Sequence, residues 1–136
     1  MKSLSLMLLL GSFLTLGAGL GPVNSAKVTM TGQYEWTQNK GKPGGIRAEF
    51  AQVKEGEWDV AFFFRFNGEN HVYRGTAMGN LTDGALQGEV QNEKKNRTWR
   101  FRGQVRGGHF QGTHVEINRR GREQATGTIE LKASND

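Results

Sequence analysis

The chain has 136 residues, 18 Lys plus Arg against 13 Asp plus Glu, a formal net charge of +5, and no cysteine. That length suits one domain with one core, and the missing cysteine excludes a disulfide framework, a thiolate metal site, a Cys nucleophile and a lipidated Cys. Twenty glycines beside two prolines, with no Gly-X-Y period, exclude collagen-like and Pro-rich linker structure.

Residues 1–26 carry Lys2, an apolar run from Leu4 to Leu20 and then small residues, the layout of a secretory signal peptide. Gly11, Gly17 and Gly19 interrupt the run, which falls short of the roughly 18 apolar residues of a spanning helix. The expectation is cleavage after Ser25 or Ala26, no transmembrane segment thereafter, and a single secreted or periplasmic domain over residues 27–136. Asn80-Leu81-Thr82 and Asn96-Arg97-Thr98 match the glycosylation pattern and are read as chance matches. No glycine loop followed by Lys and Ser or Thr is present to cradle a phosphate.

From Val28 onward the apolar residues recur with period two. Val28, Met30, Gly32, Tyr34 and Trp36 share one face of a first strand. Strands follow at Ile46 to Gln52, Trp58 to Phe66, His71 to Leu81, Ala85 to Gln91, Thr98 to Arg106, Phe110 to Ile117 and Gln124 to Leu131, eight in all. Asn67-Gly68 and Gly107-Gly108 have the turn chemistry of two-residue hairpins. A slip of one residue would flip every side chain, so each turn length can be tested against the apolar pattern. The turns pair Val105 with Phe110, Gly103 with Gly112, Phe101 with His114, Val90 with Trp99, Phe64 with His71 and Phe62 with Tyr73. A three-residue turn at Lys54-Glu55-Gly56 pairs Phe50 with Val60.

A unit of apolar, any, Gly, any, apolar recurs around Gly32, Gly75, Gly88, Gly103, Gly112 and Gly127, with the glycine inward at mid-strand. Such glycines let a sheet coil and leave room for a large neighbour. The predicted fold is an all-β, eight-stranded antiparallel up-and-down barrel, with a two-sheet β-sandwich as the alternative. The outward faces read Thr, Gln, Arg and Glu, with Phe63 a lone exception, which argues against a lipid-facing barrel.

The strand count, Gly32-Gln33-Tyr34 in the first strand and Lys132 closing the last one resemble the calycin group, the lipocalins and avidins. The resemblance implies a barrel that holds a small ligand, without naming it. Tyr34 stands where the lipocalin motif has Trp, the lipocalin disulfide cannot form, and the biotin-binding set of the avidins has no counterpart here.

Candidate site residues follow from the inward face and the turns. Trp36, His71, Tyr73, Trp99, His114 and Glu116 point inward toward one end. The loops of that end carry Lys40, Lys42, Lys94, Lys95, Arg97, Arg119, Arg120 and Arg122 against Glu69, Glu93 and Glu123, while Lys54 and Arg106 face Glu55, Glu57 and Asp83 at the other. One basic mouth is predicted, suited to a small anionic or amphipathic ligand or an acidic surface. No metal-ligand spacing, Ser-His-Asp set or carboxylate pair is present, so no cofactor and no catalysis are expected. Arg100, Arg102 and Arg106 share an outer face without an aromatic platform, which argues against nucleic acid, and Glu89 should pair with Arg100. The reading is a non-enzymatic binding module. The alternative is a solid-cored envelope or extracellular interaction protein.

Overall fold

The computed structural model describes residues 27–92, 94 and 96–134. The expected signal peptide and its cleavage site lie outside the described residues. Eight strands follow in order: β1 (Lys27–Trp36), β2 (Gly44–Lys54), β3 (Glu57–Phe66), β4 (Glu69–Gly79), β5 (Gly84–Asn92), β6 (Arg97–Arg106), β7 (His109–Ile117) and β8 (Glu123–Ala133), with a short 3₁₀ turn at Thr37–Asn39. Each strand pairs antiparallel with the next, and β1 pairs with β8 from Met30↔Ala133 to Trp36↔Gly127. One closed sheet replaces the two faces that a sandwich would need, so the barrel holds and the sandwich does not.

The register is the expected one at each tested turn, from Phe50↔Val60 through Phe64↔His71 and Val90↔Trp99 to Val105↔Phe110. Asn67-Gly68 and Gly107-Gly108 all have positive φ, as primed hairpin turns require. Two bulges modify the reading. The β2–β3 turn has two residues, Glu55 and Gly56, and the third is absorbed by a bulge at Val53 that leaves this side chain 58% exposed. On β8, His114 pairs with Gly127 but Val115 pairs with Ala125, so Thr126 is the extra residue. Ala125, expected inward by strict alternation, is thereby turned outward and exposed.

At Gly88 a Cβ would stand 2.6 Å from the Phe101 ring, as expected, and also 2.5 Å from the backbone carbonyl oxygen of Thr76. Elsewhere backbone is the main obstacle. A Cβ on Gly32 would collide with the backbone carbonyl of Glu130, and one on Gly75 with that of Glu89. At these corners neighbouring strands press their backbones together, which is how a small sheet coils enough to close.

The two ends differ. Around the lower half of the barrel Met30, Phe50, Leu86, Val105, Phe110 and Leu131 are fully buried. Below them Leu81, expected at the end of β4, lies in the β4–β5 loop and is buried against the core. That loop is stitched to its neighbours: Gly79 N donates to Gly56 O (2.9 Å), Trp58 Nε1 to Gly79 O (3.0 Å), Gly108 N to Thr82 O (3.0 Å) and Gly107 N to Asp83 Oδ1 (3.0 Å). The described loops at the opposite end bond locally, Gly41 N to Glu35 Oε1 and Arg120 N and Arg122 N to Asn118 Oδ1. One end is sealed and the other is a mouth.

Outside the barrel, Phe63 is covered by Arg47, whose guanidinium carbon stands 4.5 Å from the ring centroid. Arg100 bonds Glu89 at 2.8 Å as expected, and both Arg100 and Arg102 reach Glu123. These arginines are held by carboxylates on the same outer face.

Gly75→Ala should lower stability by about 2 kcal/mol or more, because backbone must move to admit the methyl. Gly45→Ala, which meets nothing within 4 Å, should stay within about 0.5 kcal/mol of the parent. Urea denaturation of both variants checks this, and equal losses would show that strand contact at Gly75 is not what closes the barrel.

Candidate functional site

The mouth is floored by aromatic rings because the inward positions nearest this end of β1, β3, β4 and β6 are Tyr34 and Trp36, Phe64 and Phe66, His71 and Tyr73, and Trp99. Trp36 lies across them. Its ring contacts Trp99 (4.8 Å between centroids), His114 (5.5 Å), Phe66 (5.6 Å) and Tyr34 (6.1 Å). On the opposite side Phe64 stacks on both His71 (5.3 Å) and Tyr73 (5.6 Å).

Above this floor is an open cup of about 480 Å³, lined by Trp36, Phe64, Phe66, His71, Tyr73 and Arg97, with Gln38, Asn39, Asn67 and Glu69 at the rim. Below it, among Trp36, Phe64, Tyr73, Trp99 and His114, a cavity of about 50 Å³ remains. That is about a third of the ~150 Å³ that holds a benzene in an apolar core. The aromatic side chains therefore fill the deep interior, and the space that can admit a ligand is the cup.

The cup lining holds one cation, Arg97, and one carboxylate, Glu69. Arg97 Nε stands 3.8 Å from Glu116 Oε2, and both side chains border a side recess with Trp36 and Thr126. Burial is the main cause that pushes the Tyr73 hydroxyl above its ordinary pKa, with the Asn92 side chain and Arg97 opposing it. The hydroxyl is therefore a neutral donor and acceptor.

His114 is held by the β8 bulge. Thr126 Oγ1 donates its only hydrogen to the His114 carbonyl (2.9 Å) while standing 2.8 Å from His114 Nδ1. Burial holds the His114 pKa down at about 4, with the nearby carbonyls of Glu35 and Thr128 opposing it. His114 Nε2 and the indole nitrogens of Trp36 and Trp99 are fully buried, the Trp36 indole beside the Tyr34 hydroxyl and the Trp99 indole beside that of Tyr73.

The sequence candidates divide accordingly. Trp36, His71, Tyr73 and Arg97 meet in the cup, with Trp99 and His114 beneath it. Glu116 borders the side recess, so His71, His114 and Glu116 look into three different spaces. Lys94 lines an outer groove with Asn70, Val72 and Arg74, and Lys95 lies outside the described residues. Arg119, Arg120 and Arg122 are exposed in the β7–β8 turn and do not line the cup. Among the described residues no three His, Asp or Glu side chains come close enough to hold a metal. Phe64 and Phe66 line the cup although alternation marks them only as inward, and Thr126 carries no signal because a bulge breaks the alternation that would place it. No protein-family model matches the chain, and no curated protein matches it either.

Because the folded pKa of His114 lies below the unfolded value of 6.5, the unfolded chain takes up the proton first as pH falls. Stability contributed by the neutral ring is full above about pH 6.5 and lost progressively toward pH 4, by about 3 kcal/mol. Comparing urea midpoints of the parent and His114→Gln at pH 7.5 and 4.5 isolates this slope from the carboxylates. Parallel pH dependence in the two proteins would contradict a depressed His114.

Proposed function

We propose that this is an exported, non-enzymatic binding protein of calycin-like design that takes a small amphipathic anion in the cup at its open end. The observation that carries the reading is the asymmetry of the barrel: one end is stitched shut, while the other opens on an aromatic floor beside a cation. Trp36, Phe64 and Tyr73 offer flat apolar surface to a ring, and Arg97 and His71 offer hydrogen-bonding nitrogen to an anionic group at its edge. The exposed Lys40, Lys42 and the arginines of the β7–β8 turn raise the local concentration of anions. Export rests on the sequence of residues 1–26.

A second reading has its own support. The interior is filled except for about 50 Å³, which suits a solid-cored envelope or extracellular protein that works by surface contact with an acidic partner.

Anilinonaphthalene sulfonate, an aromatic anion, distinguishes the two. In the cup reading it binds one per chain, changes the fluorescence of Trp36, and weakens as salt is raised. Arg97→Gln should then cost about fivefold in affinity, about 1 kcal/mol for a half-exposed charge-assisted contact. Absence of saturable binding to the folded protein would leave the surface-contact reading standing.

A further inference from the structure

The rim of the mouth is notched between β1 and β8. The last rung that joins these strands is Trp36↔Gly127, where the chain leaves β1 for the 3₁₀ turn at Thr37–Asn39. β8 reaches past that rung toward the mouth and stays paired with β7 as far as Glu123↔Ile117. Gln124, Ala125 and Thr126 therefore have β7 on one side and the 3₁₀ turn, not a strand, on the other. The bulge also turns the small Ala125 side chain outward here. The result is the side recess, a space of about 200 Å³. It exceeds the ~150 Å³ that takes a benzene, so a six-membered ring fits.

The lining of this recess differs from the aromatic floor of the cup. Trp36 supplies one apolar face, and around it stand the Glu116 carboxylate, which accepts, the Arg97 guanidinium, which donates, and the Gln38 and Gln124 amides, which do both. Thr37 adds a hydroxyl at the edge. Arg97 and Glu116 stand 3.8 Å apart, too far for a direct hydrogen bond, and their side chains are 52% and 30% exposed, so each keeps bonding capacity toward the open side. Their charges cancel, and the other groups are neutral. A matching ligand part is uncharged, sets donors beside acceptors, and has a face of C–H bonds for the indole. A carboxylate only accepts and an ammonium only donates, whereas the adjacent hydroxyls of a sugar ring do both. The recess shares Trp36, Gln38 and Arg97 with the cup, so one ligand can occupy the two together.

We propose that the recess is a sugar subsite and that the ligand of the cup is a glycoside. Its aromatic part lies on the floor of the cup, and its sugar ring stands against Trp36 with hydroxyls on Glu116 and Gln124. This deepens the cup reading and rests on it.

The test compares 4-nitroanisole with four 4-nitrophenyl glycosides, the β-glucoside, β-galactoside, α-mannoside and N-acetyl-β-glucosaminide, by isothermal titration of the folded protein. All five share the ring and its linking oxygen, and only the glycosides fill the recess. The best glycoside should bind about 10- to 30-fold more tightly than 4-nitroanisole, the worth of two neutral hydrogen bonds. Glu116→Gln and Gln124→Ala, the latter at an exposed position on the end of β8, should each reduce that ratio by about threefold or more. Equal affinities across the five compounds, or a glycoside preference that survives both substitutions, would overturn the sugar subsite. If the preference is absent while anilinonaphthalene sulfonate still binds in an Arg97-dependent way, the recess fails and the cup reading stands. If none of these compounds binds, both readings fall.

Discussion

Closure of the sheet is the constraint on which everything else depends. A small β domain with no disulfide must pair its strand edges or expose them to other chains, and the β1–β8 ladder leaves no edge strand. Joining eight short strands in a ring demands strong coiling, and the inward glycines supply it by letting backbone approach backbone where a Cβ would stand in a neighbour's carbonyl. Closure also fixes the interior volume. Once the ring is set, whatever the strands point inward must fit a space just wide enough for side chains.

The aromatic residues take up that space unevenly. Toward the sealed end, apolar side chains reach full burial and the loops bond across to one another, so the fold is anchored there. Toward the mouth the same inward positions carry Trp, Tyr, Phe and His, whose rings pack edge to face, as Trp36 on Trp99 and Tyr73 on Trp99. A packing of this kind holds together by ring contacts rather than by interlocked aliphatic side chains. It coincides with the end whose described loops carry Lys40, Lys42, Arg119, Arg120 and Arg122.

Much of this architecture was legible because β structure encodes register locally. Asn67-Gly68 and Gly107-Gly108 set hairpins whose lengths agree with the alternation on either side, so Phe64↔His71 and Val105↔Phe110 followed from chain-neighbour information alone. The bulges were not legible. Val53 and Thr126 each shift the count by one, and neither residue type marks a bulge in the sequence. At Thr126 the consequence reaches the site, because the extra residue carries the hydroxyl that bonds His114.

The sequence by itself determined the strand order, the faces, the basic end and the identity of the inward rings, because these depend on period-two alternation and turn chemistry within each hairpin. Only the tertiary structure decided which end is sealed, how far the rings fill the barrel, and which ring lies against which. Those properties arise between residues far apart in the chain, such as Trp36 with Trp99 and His114, or Gly108 with Thr82. Volume and hydrogen-bond satisfaction are sums over such neighbours, and they exist only once the sheet has closed.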